Sequence, residues 1–472
     1  MISTSDLISS DTIVALATSS GTTGAIAVIR LSGDRAIDIA NAVFKGKDLL
    51  KQETHTLHFG TIRDEEVIVD EVLISLFKGP NSYTKEHVVE ISTHNSKYII
   101  DQVISLLIRH GARAAKAGEF TLRAFLNGGL DLSQAEAVAD LIASENKASH
   151  EIAMNQMRGG ISSELQGMRE QLINFTALLE LELDFGEEDV EFADRSEFMQ
   201  LSTTLKAHLT KLIASFEYGN AIKHGVPVAI IGKPNAGKST LLNALLNEER
   251  AIVSDIAGTT RDTIEEAITI EGVTFRFIDT AGLRDTDDAI EAIGVARAKE
   301  KVAAAKILLY LYDAQNNTAD EVIEQVKSFR REGLTAILVR NKIDLEGGHF
   351  PNEMDDRIRE ELFEPGYVAE IIAISAKDAN SVAALTNSLV LQIRGMVSDD
   401  QQVITNIRHV EALKQALQSM EDVDRGFDLG ISGDLLASHL RDALRHIGTI
   451  TGQVDVDRDI LGTIFGKFCI GK

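Results

Sequence analysis

The spacing of apolar positions changes along the chain, and each change predicts a different kind of element. Between residues 11 and 125, short apolar runs separated by Gly and Asn predict strands. These lie at Ile26 to Leu31, Val67 to Val69, Val72 to Phe77 and Val88 to Ser92, with a helix over Ile99 to Ile108. From Ser133 to about Tyr218 the pattern is helical. Leu165, Met168, Leu172, Phe175 and Leu179 alternate steps of three and four, which places them on one helix face and reads as the core side of a bundle helix. The acidic run Asp184 to Glu191 interrupts this pattern and reads as a solvated loop. From about Ile222 to Gln392 apolar runs alternate with amphipathic helices, the rhythm of a parallel sheet covered on both faces. From His409 onward the chain is helical again, with Ile407, Val410, Leu413, Ala416 and Leu417 in one stripe. The expected fold is therefore multidomain, α/β and α. A mixed α+β domain (1–125) precedes a helical bundle split in sequence (126–221 and 393–472), into which an α/β domain (222–392) is inserted.

The inserted domain carries the chemistry. Gly232-Lys233-Pro234-Asn235-Ala236-Gly237-Lys238-Ser239 fits Gly-x-x-x-x-Gly-Lys-Ser, between a strand predicted at Val226 to Ile231 and a helix starting near Leu241 to Leu246. In that setting the glycines let backbone N–H groups converge on phosphates, and the helix N-terminus adds a positive dipole. Lys238 reaches the β- and γ-phosphates, and the Ser239 hydroxyl ligates Mg2+. Residues Asn235, Ala236, Gly237, Lys238, Ser239 and Thr240 are thus the expected phosphate cradle. After the apolar run Val273 to Ile278 comes Asp279-Thr280-Ala281-Gly282, where Asp279 can hold Mg2+ through water and the Gly282 N–H can sense the γ-phosphate. After Ala336 to Val339 comes Asn341-Lys342-Ile343-Asp344. The Asp344 carboxylate can accept from the guanine N1–H and exocyclic amine, a donor pair that adenine lacks. After Ile371 to Ile374 comes Ser375-Ala376-Lys377, whose backbone N–H can meet the guanine O6. Any one tetrapeptide is weak evidence. All of them in order, each at the C-terminal end of a predicted strand, specify a P-loop GTPase domain with GTP as substrate.

Gly258-Thr259-Thr260-Arg261-Asp262 reads as a switch loop in which Thr260 closes on Mg2+ and the γ-phosphate; a plain loop of turn-forming residues is the alternative. Leu283 stands where small signalling GTPases carry the Gln that orients the attacking water, so another group must do so. Asn235 could offer its oxygen to a monovalent cation beside the phosphates, or merely favour the turn.

Composition narrows the setting. At 472 residues, with 44% hydrophobic and 25% charged, the chain suits a soluble protein of about three domains. No apolar run approaches the roughly 18 residues needed to cross a bilayer, and the first residues, with Asp6 and Asp11, lack the pattern of a signal peptide. Cys469 is the single cysteine, which excludes an internal disulfide and suits a cytoplasmic location. The tail Cys469-Ile470-Gly471-Lys472 fits no prenylation signal, so no membrane attachment is expected. The net charge of −25 repels nucleic acid, so an RNA substrate must meet a local basic patch or be presented by a partner.

Several further segments are absent from generic GTPases. They are Ser82-Tyr83-Thr84 leading to Val88-Val89-Glu90; Gly118-Glu119-Phe120-Thr121-Leu122-Arg123-Ala124-Phe125-Leu126-Asn127; Asp131-Leu132-Ser133-Gln134-Ala135-Glu136-Ala137; and Phe468-Cys469-Ile470-Gly471-Lys472. With these, the chain closely resembles the MnmE (TrmE) family of tRNA-modification GTPases over almost its whole length.

The resemblance implies that residues 1–125 bind folate and form a homodimer. It implies action with an FAD-containing partner, MnmG, in a heterotetramer that adds an aminomethyl-type group at carbon 5 of the wobble uridine of certain tRNAs. A tetrahydrofolate derivative, in 5-formyl or methylene form, donates the one-carbon unit. It also implies that K+ promotes pairing of two G domains, with ligands matching Asn235, Ser254, Ile256 and Thr259, the middle two through backbone carbonyls. The catalytic glutamate matches Glu291, and Arg284 matches a residue that steadies the closed switch. Arg30, Glu90 and Lys472 match folate contacts, whereas Gly128-Gly129 replaces a family lysine, and Thr93-His94-Asn95-Ser96 departs from the common Cys-His-Gly-Gly. Cys469 reads either as a nucleophile or as a packed anchor between Phe468 and Ile470. Two other classes fit the GTPase motifs alone. A ribosome-assembly GTPase would need a basic RNA-binding appendage, which the sequence lacks. A signalling GTPase without tRNA-modifying chemistry leaves the N-terminal segments unexplained.

Overall fold

The computed structural model describes residues 11–18, 24–184, 195–246, 251–253, 266–278, 302–345, 353–363, 367–394, 402–453, 461, 464–466, 468 and 471. They fall into two compact units. One comprises Met1–Ile142, Met154–Asp194 and Ser419–Lys472; the other comprises Ala143–Ala153 and Arg195–Gln418.

The first unit is built on strands β1 (Thr12–Leu16), β2 (Ile26–Ser32), β3 (Phe44–Lys45), β4 (Thr56–Asp64), β5 (Val67–Phe77), β6 (Val88–His94) and β7 (Ala112–Ala114). Their order is β3-β4-β5-β6-β2-β1-β7, antiparallel except for the β1–β7 edge. Alternation sends Ile29, Leu31, Ile74, Leu76, Val89 and Ile91 to one face, under the helices Ala36–Val43 and Lys97–Arg109. The same alternation leaves Arg30 and Glu90, direct partners across β2 and β6, on the other face.

The two short strands expected at Val67 to Val69 and Val72 to Phe77 are one strand of 11 residues. Asp70 and Glu71 break the apolar run. However, the buried Asp70 carboxylate accepts the backbone N–H and the imidazole of His94, both at 2.8 Å, so its polarity is satisfied and pairing continues. A register shift beside Ile62 absorbs the mismatch. In the helical part of this unit, Gly160–Asp184 packs along Gly433–Thr451, and all five members of the Leu165-to-Leu179 stripe are buried.

In the second unit the helix Arg195–His224 runs into a sheet of β8 (Val226–Gly232), β9 (Ala251–Val253), β10 (Glu266–Ile270), β11 (Val273–Phe277), β12 (Ile307–Tyr312), β13 (Thr335–Arg340) and β14 (Val368–Ala373). The order is β14-β13-β12-β8-β11-β10-β9, parallel from β14 to β11 and antiparallel about β10. Lys238–Leu246 and Ala379–Arg394 cover one face; Ala319–Ser328 and Glu353–Leu362 cover the other. Every residue of β12, Ile-Leu-Leu-Tyr-Leu-Tyr, is buried, as a strand covered on both faces requires.

The chain enters and leaves this sheet side by side. The Ile404 N–H donates to Ser215 Oγ at 3.0 Å, and a Cβ on Gly219 would stand 2.1 Å from the Ile404 carbonyl oxygen. The stripe after residue 407 differs at its start. Ile407 is the first residue of the helix Ile407–Leu429 and is exposed, while Val410, Leu413 and Ala416 are buried and Met420 and Val423 continue the stripe. No helix among the described residues is long and apolar enough to cross a membrane.

Gly219→Ala should therefore force the entering helix away from the returning segment at Ile404 and destabilise this unit by about 1–3 kcal/mol. Faster amide exchange in residues 205–219 is the expected readout, and unchanged exchange would show that the two segments separate freely.

Candidate functional site

The phosphate loop is shaped by close approaches that exclude side chains. A Cβ on Gly232 would lie 2.3 Å from the Leu311 carbonyl oxygen, so β8 can pass β12 there only as glycine. Asn235 adopts φ +63°, a left-handed conformation that Asn tolerates better than most residues. Gly237 has φ +98°, and a Cβ on it would stand 2.2 Å from Asn341 Nδ2. The helix starts at Lys238, whose ammonium donates to the carbonyls of Gly232 (2.8 Å) and Lys233 (2.9 Å). Ser239, the expected Mg2+ ligand, is next in the first turn.

The base side converges on Asn341. This buried amide donates through Nδ2 to the Ala236 carbonyl (2.8 Å) and accepts through Oδ1 from the Ala376 N–H (3.0 Å). Its own N–H donates to the Tyr312 carbonyl at 2.8 Å. The turn after β14 is held by Ser381, whose Oγ accepts the Ser375 N–H (3.1 Å) and donates to the Ser375 carbonyl (2.8 Å). Ser375 and Ala376 are buried, whereas Lys377 and Asp344 are exposed. Residues 235–240, 341–344 and 375–377 are thus brought to one edge of the sheet. Ser254, Ile256, Thr259, Thr260, Asp279, Gly282, Leu283, Arg284 and Glu291, with residues 185–191 of the acidic run, lie outside the described residues.

On the N-terminal sheet, Arg30 Nε donates to Glu90 Oε1 at 2.8 Å and Nη2 stands 2.7 Å from the same oxygen. The guanidinium carbon lies 5.5 Å from the centroid of the Tyr83 ring and 5.7 Å from that of Phe120, within cation–π range of both. Tyr83 is bonded to Thr121 (2.8 Å), and burial raises its phenol above the ordinary value. Around this pair, Arg123, with its side chain only 7% exposed, donates to Asp11 Oδ1 (2.7 Å) and Glu86 Oε2 (3.1 Å). Arg113 holds Glu119 (2.6 Å) and Asp11 (2.6 Å). Burial pushes the Glu119 carboxyl up, but Arg113 and the Lys116 N–H outweigh it, and the net shift is downward. Asn127 Nδ2 donates to the Thr84 carbonyl at 2.7 Å.

Comparison with known proteins decides the family. A model described as the GTP-binding protein TrmE N-terminus matches residues 12–129, and one for the MnmE helical domain matches residues 132–469. A protein of Flavobacterium johnsoniae named tRNA modification GTPase MnmE is 53% identical, covering 99% of this chain and 100% of its own length. Equally named proteins of Cytophaga hutchinsonii (51%; 98% of each chain) and Bacteroides fragilis (49%; 98% of this chain and 99% of that one) match likewise. The chain belongs to the MnmE family.

The MnmE-type segments singled out in the sequence turn out to be largely scaffold. Tyr83, Thr84, Glu86, Thr121, Arg123 and Asn127 bind one another around Arg30. Asp131 caps the helix Leu132–Ile142: its Oδ1 accepts the Gln134 N–H (2.8 Å), while its own N–H donates to Gln134 Oε1 (2.9 Å). The C-terminal segment reaches this region too. A Cβ on Gly118 would stand 2.4 Å from the Phe465 carbonyl oxygen, and one on Gly471 would stand 2.1 Å from that of Leu16. Phe465 and Phe468 pack with Leu132 and Ala135. Cys469 and Lys472 lie outside the described residues.

Sequence reasoning missed Lys85 and Asp313. A Cβ on Gly129 would be 3.3 Å from Lys85 Cε, so a lysine side chain lies against the turn where the family lysine is missing. Lys85 has φ +64°, and only its position inside the Ser82-to-Glu90 segment hinted at a role.

Asn341→Ala would leave the Ala236 carbonyl and the Ala376 N–H unpaired in a buried site. Binding of a fluorescent GDP analogue should weaken about 10- to 100-fold; unchanged affinity would show that the bridge does not organise the site.

Proposed function

We propose that this MnmE-family chain is a potassium-activated GTP hydrolase that acts in tRNA modification. With an FAD-containing partner of the MnmG type, it adds an aminomethyl-type group to carbon 5 of a wobble uridine. The observation that carries the GTPase part is the Asn341 bridge, which holds the phosphate loop and the guanine-contacting turn in one arrangement. Asp344 reads the guanine N1–H and amine, Lys238 neutralises the phosphates, and Ser239 with Thr260 ligates Mg2+. Asn235, whose left-handed turn lifts its exposed side chain beside the phosphate loop, joins Ser254, Ile256 and Thr259 in holding K+. Bound there, K+ supplies positive charge to the phosphate oxygens, as an arginine finger does elsewhere. Glu291 orients the attacking water and Arg284 steadies the closed switch.

The folate part rests on Arg30. Its guanidinium lies against two aromatic rings, one of them Phe120 of the helix Glu119–Leu126, and is held by Glu90, on the sheet face opposite the helices Ala36–Val43 and Lys97–Arg109. A planar heterocycle can stack in such surroundings while a carboxylate accepts from its N–H edge. Lys85 beside Gly129 offers an ammonium for the acidic tail of the folate, with Lys472 as the further contact and Cys469 as a wall residue. The same face exposes Leu57, Phe59 and Leu73, an apolar strip suited to homodimer formation through residues 1–125. The boundaries 1–125, 126–221, 222–392 and 393–472, and a cytoplasmic location, belong to this reading.

GTP turnover by the full chain should be many-fold faster in K+ than in Na+ at equal ionic strength; equal rates would remove the cation mechanism. Nucleoside mass spectrometry of tRNA from cells lacking the protein should show unmodified wobble uridine, and an unaltered profile would sink the tRNA assignment.

A further inference from the structure

The turn after β12 carries none of the nucleotide motifs, yet it touches both nucleotide loops. Asp313, only 2% exposed, follows Tyr312 directly. Its Oδ1 accepts the N–H groups of Gln315 (3.2 Å) and Asn316 (2.8 Å) and the Asn316 side-chain amide (2.9 Å). Its Oδ2 accepts Lys342 Nζ at 2.9 Å, from the base loop. The Asp313 N–H in turn donates to Asn317 Oδ1 at 3.2 Å. One carboxylate therefore fixes its own turn and a lysine 29 residues away.

The far end of the turn grips the phosphate loop. Lys233 Nζ donates to the Asn316 carbonyl (3.2 Å) and to Glu321 Oε2 (2.8 Å). That glutamate also closes the capping box of the helix Ala319–Ser328, with Thr318. Gln315 Nε2 adds a bond to the Leu345 carbonyl at 3.3 Å. Lys342 sits between Asn341 and Asp344 in a left-handed conformation, φ +66°, which a non-glycine residue holds only when its surroundings impose it.

We propose that Asp313 is a positioning residue for guanine recognition, fixing Lys342 against the base site while its turn ties the base loop to the phosphate loop. The proposal rests on the GTPase reading and adds to it a second tether, independent of Asn341. A lysine already held in its bound geometry loses less freedom when the nucleotide arrives, so the effect falls on affinity rather than on the chemical step. Burial alone would push the Asp313 carboxyl up, but the bonds from Lys342 and Asn316 bring it below the ordinary carboxylate value, which keeps it charged for this task.

The test is Asp313→Asn in the full chain, which keeps an acceptor for the turn and removes the charge facing Lys342. GDP affinity should fall about 5- to 50-fold and the KM for GTP rise by a similar factor, with kcat changed by less than about twofold. In the double variant with Lys342→Met, the loss should be no greater than for Lys342→Met alone. Unchanged GDP affinity for D313N, or losses that multiply in the double variant, would overturn the proposal. Should D313N fail to fold, Glu321→Gln cuts the exposed end of the same turn and should weaken GDP binding about two- to fivefold; no change there would equally count against it. Failure of the unmodified chain to bind any guanine nucleotide is a separate result, and would remove the GTPase reading itself.

Discussion

A single buried amide, the side chain of Asn341, constrains how the phosphate loop, the base loop and the Ser375 turn can meet. Its donor and acceptor must both be matched, because an unpaired group of this kind costs on the order of 1–3 kcal/mol once removed from water. The match exists only if β8, β13 and β14 end at the same edge of the sheet, which their parallel order guarantees. It also needs Gly237 without a side chain, since the amide occupies the space a Cβ would fill. Strand order, glycine placement and a polar residue at the end of β13 are therefore one requirement. The bridge ties together the loop expected to hold the phosphates and the two loops expected to meet the base. The expected switch elements around Thr260 and Asp279 are separate sequence segments that take no part in this bridge.

Legibility in the sequence followed the range of the interaction. Helices announced themselves by spacing, as the Leu165-to-Leu179 stripe shows, and the parallel strands by short apolar runs such as Ile307 to Tyr312. The GTP motifs were legible because backbone geometry at a strand end dictates residue types locally. Where the sequence misled, a side chain from elsewhere had intervened. Asp70 looked like a break between two strands, but the bonds it accepts from His94, 24 residues on, make it part of one. Asp313 with Lys342, and Lys85 against Gly129, join residues far apart along the chain; no periodicity or tetrapeptide encodes such pairs.

The N-terminal segments show how a family motif can be specific without being chemical. Of the polar residues from Ser82 to Glu90 and from Gly118 to Asn127, most bind one another. Arg123 is committed to Asp11 and Glu86, and Asn127 to a backbone carbonyl. A buried guanidinium tolerates no loss of partner, because the carboxylates left behind would face one another uncompensated. Such a network is demanding in residue type throughout, yet it leaves Arg30, Glu90 and Tyr83 partly exposed, the three groups on which the proposed folate site rests. Phe465 and Gly471 close onto the same unit at Gly118 and Leu16, so these two residues belong to that scaffold.

Charge sets the remaining division of labour. With 72 acidic against 47 basic side chains, the field of the chain opposes a polyanion. Among the described residues, the buried Arg123 and Arg340 are engaged by Asp11 and Asp355, and the half-buried Lys342 by Asp313. Exposed pairs such as Lys327 with Glu361 or Arg441 with Glu180 are weak enough to exchange a carboxylate for a phosphate. Each such exchange, however, releases one more uncompensated carboxylate beside the RNA, so the gain in phosphate contacts is offset locally. In the proposed complex this chain's own charge therefore favours presentation of the tRNA by the partner. In that proposal this chain contributes the one-carbon donor, held at Arg30, and GTP hydrolysis at a site anchored by Asn341.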